Sequence, residues 1–261
     1  MTNSVVWADS DRDVVHVRGA DAQTFLHSQL AQNIADMQVG HSAHSLLLEP
    51  TGHVHSLLRV VHHSPDLFTL DVDRGYGESV IVRLKRFILR SKVELELSDW
   101  VVRSIRGDGS RDAVGSHIGL AAVAWGDSDA VDIVGAPADV PKVGEPTESP
   151  HIDMFRVDSR WPRLGVDVLV GDIPATSGVV SIAVSFTKGC YPGQELVERM
   201  DSRGADAPVN LRIISRDGVG VGSRVEASPT DSGTVTSIGF HRAFVRVGRN
   251  SVIGESPSHV N

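Results

Sequence analysis

A short pattern occurs twice in the chain. Val15-His16-Val17-Arg18-Gly19 leads into Asp21 and a run with helical spacing, and Val102-Arg103-Ser104-Ile105-Arg106-Gly107 leads into Arg111-Asp112-Ala113-Val114. The offset from Gly19 to Gly107 is about 88 positions. A strand, a glycine and a helix repeated at that distance point to two related α+β units side by side rather than one continuous sheet.

The first unit reads as strand, helix, hairpin and helix. After the strand at Val14 to Val17, Asp21 caps a helix in which Leu26, Leu30, Ile34 and Met37 recur at helical spacing. Strands at Ser45 to Leu48 and Val54 to Val61 flank the turn Glu49-Pro50-Thr51-Gly52, and Leu67 to Val72 is a further strand. A second helix is expected from about Glu78 to Arg90, followed by a strand through Val93, Leu95 and Leu97. Ala136 to Pro150, with four prolines, is the most loop-like internal stretch, and a helix resumes at Ser149. Beyond Gly204, short strands at Leu211 to Ser215, Ser223 to Ala227, Gly233 to Ser237 and Ala243 to Val247 are punctuated by Gly, Asp and Pro. That is the signature of a small antiparallel barrel or sandwich. The expected organisation is residues 1–100, 101–207 and 208–250, with 251–261 a disordered tail.

The only cysteine of the 261 residues lies in Lys188-Gly189-Cys190-Tyr191-Pro192-Gly193-Gln194-Glu195. Two glycines permit backbone conformations that a side chain obstructs, and Pro192 suits a first helical turn. Leu196, Val197 and Met200 against Glu195, Glu198 and Arg199 give an amphipathic helix after it. A cysteine at such a helix start, two residues from Lys188, is placed to favour thiolate over thiol. The alternative is a small buried residue chosen for packing. Gln194 and Glu195 fall on the first turn as ligand contacts or dipole partners, and Arg199 is spaced for an i,i+4 pair with Glu195. Tyr191 either stacks on a ligand or covers the helix start.

The segment Ser185 to Glu195, with Arg199 and Arg203-Gly204-Ala205, resembles the signature of the folate-binding YgfZ family, which is related to the aminomethyltransferase (T-protein) of the glycine cleavage system. Val17-Arg18-Gly19-Ala20-Asp21 with Phe25-Leu26, and Arg156-Val157-Asp158 with Pro162, Gly165 and Asp167, carry the resemblance over most of the chain. It implies two intertwined α+β domains with antiparallel sheets and a terminal β-barrel, arranged as a cloverleaf around a central opening. It also implies a protein that binds tetrahydrofolate or a one-carbon derivative and assists iron–sulfur cluster assembly or repair through Cys190, with Lys188 beside it. Arg156, Asp158, Tyr191, Gln194, Glu195 and Arg199 are the expected folate contacts, Arg156 and Asp158 acting near the flat Trp161. Arg160 stands where the family usually has a small residue.

A folate-dependent aminomethyltransferase or demethylase is the alternative. Against it, His55 and Ser56 stand where transferases of this fold carry paired aspartates, and Thr176 replaces a folate-binding glutamate, so proton handling is compromised. His53 and His55 share a strand face, but no ligand spacing supports a dedicated metal site.

Composition narrows the classes further. Net charge is −8 with 21 Arg and 4 Lys dispersed, which gives no clustered basic face for nucleic acid. The densest basic stretch, Arg83 to Lys92, reads as a solvated helix face or as a rim that attracts an anionic folate tail. No apolar run reaches the roughly 20 residues of a membrane span, and no signal peptide opens the chain, so the cytoplasm is expected. One thiolate cannot provide the four ligands of an ordinary iron–sulfur cluster, so cluster chemistry requires a client or assembly partner.

Overall fold

The computed structural model describes residues 4–115, 121–123, 129–203 and 207–257. Among the described residues, three mainly antiparallel sheets and six α-helices surround a central cavity. In the first sheet, β2 (Arg12–Arg18), β3 (Ser42–Leu48), β4 (Val54–Ser64), β5 (Leu67–Asp73) and β6 (Glu94–Ser98) are ordered β3-β4-β5-β2-β6. Helices α1 (Ala22–Gln29) and α2 (Gly77–Lys85) cover one face of it. They bury Phe25, Leu26, Val80 and Leu84 against Val15, Val17, Leu58, Val60, Phe68 and Leu70.

The second sheet holds β1 (Val6–Asp9), β7 (Val101–Arg106), β8 (Ala121–Val123), β9 (Val131–Gly135) and β10 (Glu145–Pro146), ordered β10-β1-β7-β9-β8. Only the β1–β10 contact is parallel. β1 therefore leaves the sequence neighbourhood of β2 and pairs with β7, Trp7 opposite Ile105. The repeat read from sequence is present: β2 runs into Gly19 and α1, and β7 runs into Gly107 and α3 (Ser110–Val114), both glycines having positive φ. Val14 and Val61 of the first sheet meet Val102 and Val134 of the second.

β11 (Val209–Ser215), β12 (Arg224–Ser228), β13 (Asp231–Ile238) and β14 (Arg242–Gly248) form the third sheet, ordered β11-β14-β13-β12. The expected closure into a barrel is not found: β11 and β12, the end strands, do not pair with each other, and the sheet is open. This sheet packs on α4 (Ser149–Asp158), and its Leu211, Ile213 and Phe244 share a core with Val157 of α4, Ala183 of α5 (Val180–Ala183) and Val197 of α6 (Gln194–Arg203).

Three further expectations are corrected. The first helix stops at Gln29, because Leu30 turns extended and bridges to Leu47, while Gln23 donates to the carbonyls of Ile34, Ala35 and Met37 and folds the following segment back. The second helix stops at Lys85, with Phe87 and Ile88 still packed on the core. The expected disordered tail is docked as far as Pro257. Ile253 is buried, Glu255 exchanges both backbone hydrogen bonds with Ile213, and Pro257 lies against Gly178. Residues 258–261 lie outside the described residues, as does Gly204-Ala205 of the signature. No helix among the described residues is long and apolar enough to cross a membrane.

Candidate functional site

The cysteine loop is built by a turn rather than by the helix itself. α6 begins at Gln194, so Pro192 precedes the helix instead of opening it. The Gln194 N–H donates to the Tyr191 carbonyl at 3.3 Å. With Pro192 second and Gly193 third at φ +87°, residues 191–194 form a type II turn. A side chain at Gly193 would place its Cβ 2.6 Å from the Glu49 carbonyl oxygen, so the turn lies directly on the β3–β4 turn.

Cys190 is exposed, which removes the packing explanation for it. Lys188 Nζ donates to the carbonyls of His27, of Leu30 at 2.6 Å and of Gln32 at 3.4 Å, and no hydrogen bond joins it to Cys190. Burial pulls this ammonium down to about 8, and the three carbonyls favour its charged form. Lys188 therefore anchors the carbonyl-rich segment that ends α1. It also lies 5.0 Å from the centre of the Tyr191 ring. Tyr191 is buried, and burial together with the charge of Glu198 pushes its phenol up to about 12. Gln194 donates to Glu198 at 2.5 Å, whereas Glu195 and Arg199 are both exposed and make no ion pair with each other.

A cavity of about 790 Å³ opens where the three sheets meet. The crossover from β1 to β2, Asp9 to Asp13, forms part of its wall, as do α4 and β13. On the first sheet, three inward residues stand in register on neighbouring strands: His44 opposite Arg59, and Arg59 opposite Asp71. Buried Arg59 donates to Asp71 at 2.8 Å and reaches across to Asp132 of β9 at 2.6 Å, tying the two sheets together. Burial alone would raise the Asp132 carboxyl, but Arg106 and Arg59 outweigh it and hold the group below the usual carboxylate range. Arg12 bridges Asp71 at 2.5 Å and Asp73 at 3.0 Å.

His44 differs from these partnered charges. The residue is 9% exposed, its ring lies 4.1 Å from that of Trp161, tilted by 33°, and neither ring nitrogen has a hydrogen-bond partner. Burial first, and Arg59 second, lower it to about 3, so it is neutral.

Of the eight residues expected at the thiol and as folate contacts, Arg156 lines this cavity, as does the neighbouring Trp161, and the other seven do not. Arg156 is held by Asp153 at 2.6 Å, by Asp167 at 3.0 Å and by the Trp161 carbonyl at 2.5 Å. Asp158 faces elsewhere: it accepts the N–H groups of Phe240, His241 and Arg242 at 3.0–3.1 Å and fastens the β13–β14 turn to α4. Lys188, Cys190, Tyr191, Gln194, Glu195 and Arg199 belong to the cysteine loop and α6. The expected single cluster is thus two places, a thiol on a turn and a polar cavity.

The sequence reading missed His44, Arg59, Asp71 and Asp132. Their signal was available as polar residues at inward positions of otherwise apolar strands, as in Leu57-Leu58-Arg59-Val60-Val61. Arg83, read as part of a solvated basic face, is buried, donating to the Leu48 carbonyl and covering the Phe87 ring at 4.4 Å. His55 is also engaged, Nδ1 with Glu49 at 2.8 Å and Nε2 with the Ser79 carbonyl at 3.2 Å.

No protein-family model matches the chain. The tRNA-modifying protein YgfZ of Vibrio atlanticus is 24% identical over 79% of this chain and 68% of its own length. The protein of that name from Aliivibrio fischeri is 22% identical over 91% and 81%. Among solved structures, the glycine cleavage system aminomethyltransferase T of Bartonella henselae superposes with a TM-score of 0.74 at 16% identity, covering 95% of this chain and 79% of its own. The resemblance carried by the cysteine loop therefore extends along the chain, to YgfZ proteins in sequence and to an aminomethyltransferase in fold.

Proposed function

We propose that this YgfZ-like chain is a cytoplasmic protein that binds tetrahydrofolate or a one-carbon derivative and supports iron–sulfur cluster assembly or repair through Cys190. The observation that carries the reading is the exposure of the only thiol on a turn fixed by close backbone packing. A thiol placed that way serves chemistry with a second molecule better than it serves packing. One sulfur ligates one position of a cluster, so a client or assembly protein supplies the rest.

The central cavity fits the folate half of the reading. Its volume lies within the range of small-molecule sites, and His44 with Trp161 offers a flat wall bearing unpartnered hydrogen-bonding atoms. The cavity wall holds eight aspartates against six arginines, so a neutral heterocycle suits it better than an anionic group. Since Cys190 does not line the cavity, folate acts here as a bound effector or support, not as a group that reacts at the thiol. Relatives of the chain are named for tRNA modification. With a net charge of −8, this chain suits action on modifying enzymes rather than contact with RNA phosphates.

Aminomethyl transfer is disfavoured because His55, at a position where the transferase pattern has an aspartate, has both ring nitrogens occupied. Complementation of a bacterial strain lacking its YgfZ protein tests the proposal, with activity of iron–sulfur enzymes as the readout. Wild type restores activity and Cys190→Ser does not. Full rescue by the serine variant overturns the role of the thiol.

A further inference from the structure

Among the described residues that line the cavity, His44 alone carries buried side-chain nitrogens with no partner. Its charged neighbours are satisfied: Arg59 by Asp71 and Asp132, Arg12 by Asp71 and Asp73, Arg156 by Asp153 and Asp167. A buried polar group left unmatched destabilises the fold, and in a native structure it calls for a physical reason. The imidazole is held on the Trp161 ring, whose backbone is fixed in turn by Arg156. Histidine χ2 is a broad torsion, so a small rotation on that support brings either nitrogen to the cavity surface.

We propose that His44 is the specificity-determining contact for the ligand's heterocycle, turning one ring nitrogen to a complementary group on the edge of a reduced pterin, with Trp161 supporting its plane. This rests on the folate reading above and names the residue that makes the cavity selective. Being neutral, the ring offers both a donor and an acceptor, as an imidazolium or a carboxylate cannot. A ligand lacking a group complementary to that nitrogen leaves it unmatched and gains nothing from the site.

The test is calorimetric titration of the full chain with 5-formyltetrahydrofolate, and with p-aminobenzoylglutamate as a probe that lacks the heterocycle. Wild type, His44→Phe and His44→Gln are compared. The phenylalanine variant is expected to bind the folate about tenfold or more weakly. It should bind the fragment like wild type and melt no lower than wild type, since an apolar ring replaces two unmatched nitrogens. A residue of purely structural value would instead lose stability and leave affinity unchanged. The glutamine variant, which keeps a donor and an acceptor, retains part of the affinity and decides the matter if the phenylalanine variant does not fold. Equal folate affinity in wild type and variant overturns the role of His44 alone. Absence of folate binding by wild type overturns the folate reading and this inference with it.

Discussion

Gly52 and Gly193 occupy one another's missing side-chain space. A Cβ on Gly193 would meet Gly52 Cα at 2.8 Å and Gly52 N at 3.1 Å, and a Cβ on Gly52 would meet the Gly193 carbonyl at 3.0 Å. The β3–β4 turn and the cysteine turn thereby touch backbone to backbone, and the position of Cys190 depends on a contact more than a hundred residues away in sequence.

Gly193→Ala should destabilise the chain by about 2–4 kcal/mol, the sum of a left-handed φ and an unavoidable clash. Gly75→Ala is the control. Its φ is +88° but nothing lies within 4 Å of the added carbon, so about 1 kcal/mol is expected from conformation alone. Urea unfolding of the two variants separates the terms, and equal losses would remove the packing argument.

Cys190→Ser should leave the unfolding midpoint within about 0.5 kcal/mol of wild type, because an exposed thiol contributes little packing. The same variant should fail in complementation. A cooperative melt at the wild-type temperature, paired with lost function, assigns the loss to chemistry.

Lys188→Met keeps the stem and removes the donor to the His27, Leu30 and Gln32 carbonyls. A loss of about 1–3 kcal/mol is expected from unmatched acceptors. Hydrogen exchange should show the end of α1 opening first; unchanged protection there would contradict the anchoring role.

Asp158→Ala removes the acceptor for three N–H groups of the β13–β14 turn. Stability should fall by about 1–3 kcal/mol. Folate affinity should hold at the wild-type value in titration, in contrast to His44→Phe, because Asp158 does not line the cavity.

Stability should decline as pH falls below about 6.5. Burial holds His44 at about 3, and burial with neighbouring histidines holds His63 at about 4, against the usual 6.5 of a histidine. Both are depressed in the folded state, so the unfolded chain binds protons first. The stability they confer is complete above the unfolded value and is lost as pH drops toward the folded ones. The effect is on the order of a few kcal/mol across the window, His63 contributing less because it is partly exposed. In His44→Phe, the difference between unfolding free energies at pH 7 and pH 5 should shrink.

Much of the fold was legible because it is written locally. The turn at Glu49 to Gly52, the strand–glycine–helix repeat and the four terminal strands each follow from residues close together in the chain. Tertiary competition escaped such reading. Leu30 keeps helical spacing but is drawn into a bridge with Leu47, and the terminal strands carry sheet spacing without any sign of whether their edges join. At the site, the oddity of the cysteine motif was visible, but the assignment of its neighbours was not. Lys188 and Asp158 look like ligand-facing charges until the carbonyl and amide groups they satisfy are placed beside them. His44, Arg59 and Asp71 are scattered over three strands and become a row only through register.

The placement of β1 bears on synthesis. Val6–Asp9 precedes the other strands of the described residues, yet its partners are Arg103 to Arg106 and Glu145–Pro146. While the first sheet assembles on the ribosome, this strand waits as an unpaired edge, exposing Trp7 and its backbone donors until about 100 further residues have emerged. A chaperone that shields nascent chains would find a target there.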